Sequence, residues 1–160
     1  MAAVSTATYV RGQATVAAVV NVLVNPAIDW LSNRDKGALP LWAADGLVVN
    51  FAATSLILSV LVAVFATLGI RHRHRPRRIA VPDRSVSVPR WLIRLPGRGW
   101  LLGLALGAAA ALLAVAAAFA FHTVGVSTLS LAWLLAVKAA FAGVLAFFVA
   151  RWTILRQLAG

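Results

Sequence analysis

The sequence predicts an all-α integral membrane four-helix bundle, made of two helical hairpins with both termini cytoplasmic. Three observations carry this. Of the 160 residues, 62% are hydrophobic, against roughly 45–50% in soluble domains. The apolar residues gather into four runs, near 13–32, 46–70, 100–121 and 128–150, each close to the ~20 residues that cross a hydrocarbon core about 30 Å thick. Nine of the fifteen Lys and Arg residues fall between Arg71 and Arg98, in the loop 71–99 that separates the second and third runs. Backbone polar groups find no partners in lipid, so each run must close its hydrogen bonds within a helix. The whole chain, 1–160, reads as a single membrane domain.

The opening residues "MAAVSTATYV" lack a basic region, so no cleavable signal peptide is expected and the first run stays in place. That run holds the motif "NVLVNPAIDW", in which Asn21, Asn25 and Asp29 recur every four residues and share one helix face. Pro26 has no N–H, so the carbonyl of Val22 loses its helical donor there. In the second run, Asn50 and Thr54 match Asp29 and Asn25 in depth, and Ser55 and Ser59 continue inward. These polar positions form a ladder descending from the outer face.

The loop that follows is predicted to lie in the cytoplasm by the positive-inside rule, as are Arg11, Arg151 and Arg156. The third connection, "HTVGVST", carries no Lys or Arg. Trp30 and Trp42 suit the outer interface, and Trp91, Trp100 and Trp152 the inner one. In "RHRHRPRR", Arg71, Arg73, Arg75, Arg77 and Arg78 are positioned to contact anionic lipid head groups, each contributing about 1 kcal/mol near the surface. Pro76, Pro82, Pro89 and Pro96 argue against a folded soluble domain in this loop. The stretch "RWLIRLPGRGW" mixes apolar and basic residues, as a segment lying in the inner interface does.

The third run places Gly103 and Gly107 four apart with Ala111 beyond, and the fourth aligns Ala139, Gly143, Ala146 and Ala150. Small residues at this spacing let helix backbones approach closely. Two uses compete: packing within one bundle, and a homodimer seam. Lys138, ten residues from the outer end of the fourth run, is expected about 15 Å down, near the midplane and level with Asn21. A charge there is unfavourable by ~2.5–3.5 kcal/mol, so Lys138 is expected to face inward and find a partner.

A net charge of +11 suggests nucleic acid, but its concentration in one loop between spans excludes that partner in favour of the bilayer. The absence of cysteine excludes disulfides and thiolate chemistry, and there is no glutamate. His72 and His74 stand among arginines that repel cations, His122 is isolated, and no H-E-x-x-H spacing occurs. No enzyme activity, cofactor or metal is therefore expected. The candidate site is the intramembrane polar set Asn21, Asn25, Asp29, Asn50, Thr54 and Lys138. The leading expectation is a non-enzymatic accessory, sensor or interaction module, with a homodimer or another membrane protein as partner. The alternative is a small oligomeric transporter using Asp29 and Lys138.

The order "NVLVNPAIDW", "ALPLW", arginine-rich loop and "VKAAFAGVLAFFVA" resembles a group of small four-span bacterial inner-membrane proteins without an assigned activity. Asn21, Asn25, Pro40, Leu41, Trp42 and Lys138 carry the resemblance. Those proteins often place an acid early in the second span, where this chain has Asn50. The resemblance implies the four-span architecture and a bacterial inner-membrane location, and no function.

Overall fold

The computed structural model describes residues 5–73 and 88–159. In chain order the elements are α1 (Thr6–Asn33), β1 (Ala38–Pro40), α2 (Leu47–Arg73), α3 (Arg90–Ile93), α4 (Gly99–Thr123), β2 (Thr128–Ser130) and α5 (Leu131–Leu158). The four long helices hold 28, 27, 25 and 28 residues, so each runs about 37–42 Å and exceeds the ~30 Å hydrocarbon core. All four are apolar enough to cross a membrane. Ser5 and Ser130 start α1 and α5 by accepting from the amides of Thr8 and Trp133, which satisfies donors that a helix start leaves open.

Successive long helices alternate in direction. One end of the bundle, here the terminal end, gathers Val10, Ile70, Leu92, Leu102, Ile154 and Leu155 into a buried cluster. The other end gathers Leu39, Leu41, Leu47, Ala118 and Leu134 beneath a two-stranded ribbon. Between them, Leu58, Ala142 and Ala146 form a smaller cluster. The tryptophans follow the same division, with Trp30 and Trp42 half-exposed at the ribbon end and Trp91 and Trp100 at the terminal end.

The ribbon is a feature the hydropathy pattern does not contain. β1 pairs antiparallel with β2 in the register Ala38 to Ser130, Leu39 to Leu129 and Pro40 to Thr128. Residues 128–130, expected as the first turn of the fourth span, are therefore strand, and Ser130 caps the helix that follows. Leu39 is buried under the ribbon, which ties the two hairpin connections together. Gly46 closes the turn into α2: a Cβ there would stand 2.6 Å from the Ala43 amide nitrogen and 2.9 Å from the Pro40 carbonyl oxygen. At the opposite end α5 continues to Leu158, eight residues past the expected boundary.

The spatial order of the helices differs from the chain order. α1 packs along α5, α5 along α2, and α2 along α4, while α4 touches α5 only lightly. The glycines explain the tightest of these seams. Gly99, Gly103 and Gly107 form a stripe on α4 that meets Ser55, Ser59, Ala63 and Thr67 on α2, also four apart. A Cβ on Gly103 would stand 2.6 Å from the Ser59 carbonyl oxygen, and one on Gly107 would stand 2.7 Å from that of Ser55. Gly143 lies equally close to Val22 and fixes the α1–α5 approach. The small-residue stripes of α4 and α5 are thus occupied inside the chain, in the first of the two uses the sequence allowed.

Candidate functional site

The three helices α1, α2 and α5 each bring one polar side chain to a single point near the ribbon end. Asp29 lies four residues from the end of α1, Asn50 three residues into α2, and Lys138 seven residues into α5. Helical side chains lean toward their own N-terminus. α2 and α5 both start at the ribbon end, so Asn50 and Lys138 lean toward that end. α1 starts at the terminal end, so Asp29 leans back into the bundle. The three therefore converge.

The geometry is a closed triangle. Asn50 Nδ2 donates to Asp29 Oδ1 at 2.9 Å. Lys138 Nζ stands 3.2 Å from Asp29 Oδ2 and donates to Asn50 Oδ1. That ammonium is the partner of Oδ2, which accepts no other hydrogen bond. Lys138 is 1% and Asp29 4% exposed, so both charges are withdrawn from solvent and lipid together. The Phe51 ring roofs the site, its centroid 4.8 Å from Nζ, and packs edge-on against Phe141. A cation over an aromatic face gains about 2 kcal/mol when desolvated. Asn33, also buried, donates to the Asp29 carbonyl oxygen at 3.0 Å and holds the last turn of α1.

The expected ladder divides here. Asn21 and Asn25 do not reach Lys138: Asn21 Nδ2 donates to the Ala17 carbonyl oxygen at 2.8 Å, and Asn25 Nδ2 donates to Asn21 Oδ1 at 3.0 Å. Both bonds stay within α1, which continues through Pro26. Asn21 instead lines a cleft between α1 and α2 in the terminal half, beside Gln13 and Val62. Thr54 is half-buried and joins none of these bonds. Ser55 donates back to the Phe51 carbonyl oxygen at 2.7 Å, and the Ser59 hydroxyl is buried without a hydrogen-bond partner. The physical reason is depth. With α5 beginning at Leu131, Lys138 lies about 10 Å from the helix start and well short of its middle, level with Asp29 rather than Asn21.

The cavity beside the triangle is apolar throughout. A groove of about 280 Å³ runs between α2, α4 and α5 under the ribbon, lined by residues such as Phe51, Leu113, Ala117, Leu134, Val137 and Phe141. Outside the membrane-spanning segments, Lys36 Nζ pairs with Asp45 Oδ2 at 3.0 Å across the α1–α2 connection. The hydrogen bond and charge of Lys36 hold the Asp45 carboxyl below its ordinary value, with its own backbone adding to the effect. Of the expected head-group contacts, Arg71 is exposed at the end of α2, and Arg73 closes that helix. Arg75, Arg77 and Arg78 lie outside the described residues.

Phe51, Asn33 and Gly99 are site and seam residues that the sequence reading missed. Phe51 and Asn33 each lie beside a polar residue, in positions that hydropathy alone reads as ordinary lining. Gly99 continues the four-residue glycine spacing one step toward the chain start, where the run of arginines masks it.

Four helices long and apolar enough to span a membrane, with a buried ion pair between α1 and α5 that Asn50 of α2 completes, are those of a multi-pass membrane protein of the four-helix-bundle class. Comparison with protein-family models, with curated proteins and with solved structures returns no match.

Proposed function

We propose that this is a non-enzymatic membrane protein that works by association, as an accessory or interaction module, with the Asp29–Asn50–Lys138 triangle as its internal clamp. One observation carries the reading: the only buried charges among the described residues are spent on each other, at 1% and 4% exposure, beside an apolar groove. A transport site must exchange its partner with water or substrate, and an ammonium held by a carboxylate, an amide and an aromatic face has none to exchange. The outward surface fits association. α1 packs mainly along α5 and leaves Val19, Leu23, Ile28 and Leu31 exposed. In lipid such faces meet acyl chains or other helices, and van der Waals packing decides between them. The arginine-rich loop supports placing that end and both termini in the cytoplasm, and a bacterial inner membrane is the location this reading carries.

The test is flux. Protein reconstituted into liposomes under an imposed pH gradient is expected to move protons and cationic dyes no faster than empty liposomes. Flux that Lys138→Met abolishes, with the helical content intact, would replace this function with the oligomeric-transporter alternative.

A further inference from the structure

We propose that the groove between α4 and α5 binds one anionic phospholipid, its acyl chain along the groove and its head group held by Arg94 and Arg151. The groove exists because the α4 glycines turn toward α2. That leaves Leu106, Ala110 and Leu113 of α4 facing Val144, Phe148 and Trp152 of α5 across a gap of about 660 Å³. From Val137 to Trp152 the groove runs about 22 Å along α5, more than the ~15 Å depth of one leaflet's hydrocarbon. Its wall is apolar over this length, as an acyl chain requires.

The terminal end of the groove is built differently. Trp152 closes it, with Phe148 packed on one side and Trp91 of α3 set perpendicular at 5.1 Å on the other. Paired tryptophans mark the head-group level. Arg151 lies on the same face of α5 as Val144, two turns on, and is exposed. Arg90 and Arg94 flank Trp91 on α3 and the residue capping it, and both are exposed. Arg156 does a different job: its Nε donates to the Leu95 carbonyl oxygen at 3.2 Å, while Gln157 donates to that of Gly97 at 2.6 Å. The end of α5 thus holds the α3–α4 turn beside the groove.

Charge complementarity selects the occupant. The acids among the described residues are Asp29, Asp35 and Asp45, and all stand at the ribbon end. Arg90, Arg94 and Arg151 therefore have no acidic partner at their own end among the described residues. A phosphodiester above an apolar groove supplies both the missing anion and the chain. A zwitterionic lipid supplies the chain without a net charge.

The experiment titrates full-length protein in neutral detergent with phosphatidylglycerol or phosphatidylcholine brominated on the acyl chains, reading quenching of tryptophan fluorescence. Saturable quenching by phosphatidylglycerol is expected at lower concentration than by phosphatidylcholine. Arg94→Gln and Arg151→Gln are each expected to weaken it about fivefold, the equivalent of one surface arginine. Arg11→Gln, exposed on α1 at the same end and away from α4, is expected to leave it unchanged. Ala110→Phe, which fills the groove without adding a tryptophan, is expected to remove saturable binding while circular dichroism stays helical. Equal binding of the two lipids, or an equal loss on Arg11→Gln, would overturn the proposal. So would a shift from dimer to monomer on Ala110→Phe, which would make the occupant a second copy of the chain.

Discussion

Lys138 illustrates how a side chain that is costly in isolation becomes stabilising through its neighbours. Removing the ammonium alone strands Asp29 in a dry site, and breaking a buried pair costs about 3–5 kcal/mol. Lys138→Met is therefore expected to lower stability by that order in detergent unfolding followed by circular dichroism. Replacing the set together, as Asp29→Leu, Asn50→Leu and Lys138→Met, is expected to recover most of the loss, since well-packed apolar residues often equal a buried ion pair. A single variant as costly as the triple would show that packing, not charge, holds this point. The polar side chains of this point were readable from their spacing, because a lysine inside an apolar run demands a partner. Which partner was not readable. The depth of Lys138 depends on where α5 starts, and three residues of ribbon moved that start inward.

At the scale of elements, the α2–α4 seam depends on glycine. Gly103→Leu is expected to destabilise the bundle by at least 1–3 kcal/mol, because the new side chain meets the α2 backbone rather than a flexible tip. The same change at Gly125, where nothing stands within 4 Å of a Cβ, acts only through its positive φ of 87°. Comparing the two in thermal melts separates packing from backbone strain. In the α1–α2 connection, the depressed Asp45 carboxyl contributes stability above its ordinary value of 3.8, lost as pH falls through the lower folded value. Both partners are exposed, so the effect is small and screened by salt. Melts taken downward from pH 5 should show a slight loss below about pH 4 that Asp45→Asn removes. The helices themselves were legible from hydropathy, since a run of about 20 apolar residues has few other uses. The ribbon was not, because strands of three residues are too short to establish an alternating pattern.

For the whole molecule, the alternating helices put the start of α1, the end of α2, the start of α4 and the end of α5 at one end of the bundle. The chain has no cysteine, so single substitutions give clean reporters. Ala80→Cys and Ala159→Cys are expected to react with a membrane-impermeant maleimide from the same side, and Gly125→Cys from the other. Labelling of Ala80→Cys and Gly125→Cys from one side would break the four-span topology. Four spans and their alternation follow from counting apolar runs. The neighbour order does not, since it rests on which small residues face which.

That neighbour order has a consequence for how the protein is made. α1 finds its main contact on α5, and Asp29 finds its countercharge there, yet α5 is the last of the four long helices to leave the ribosome. Until then the first hairpin holds Asp29 by Asn50 alone, without its countercharge and without the main packing partner of α1. The nascent bundle is thus incomplete until α5 arrives, and that arrival is what commits it. A chain stopped before Leu131 would carry three hydrophobic spans and still present, to any membrane protease or insertase, an acid with nothing to neutralise it.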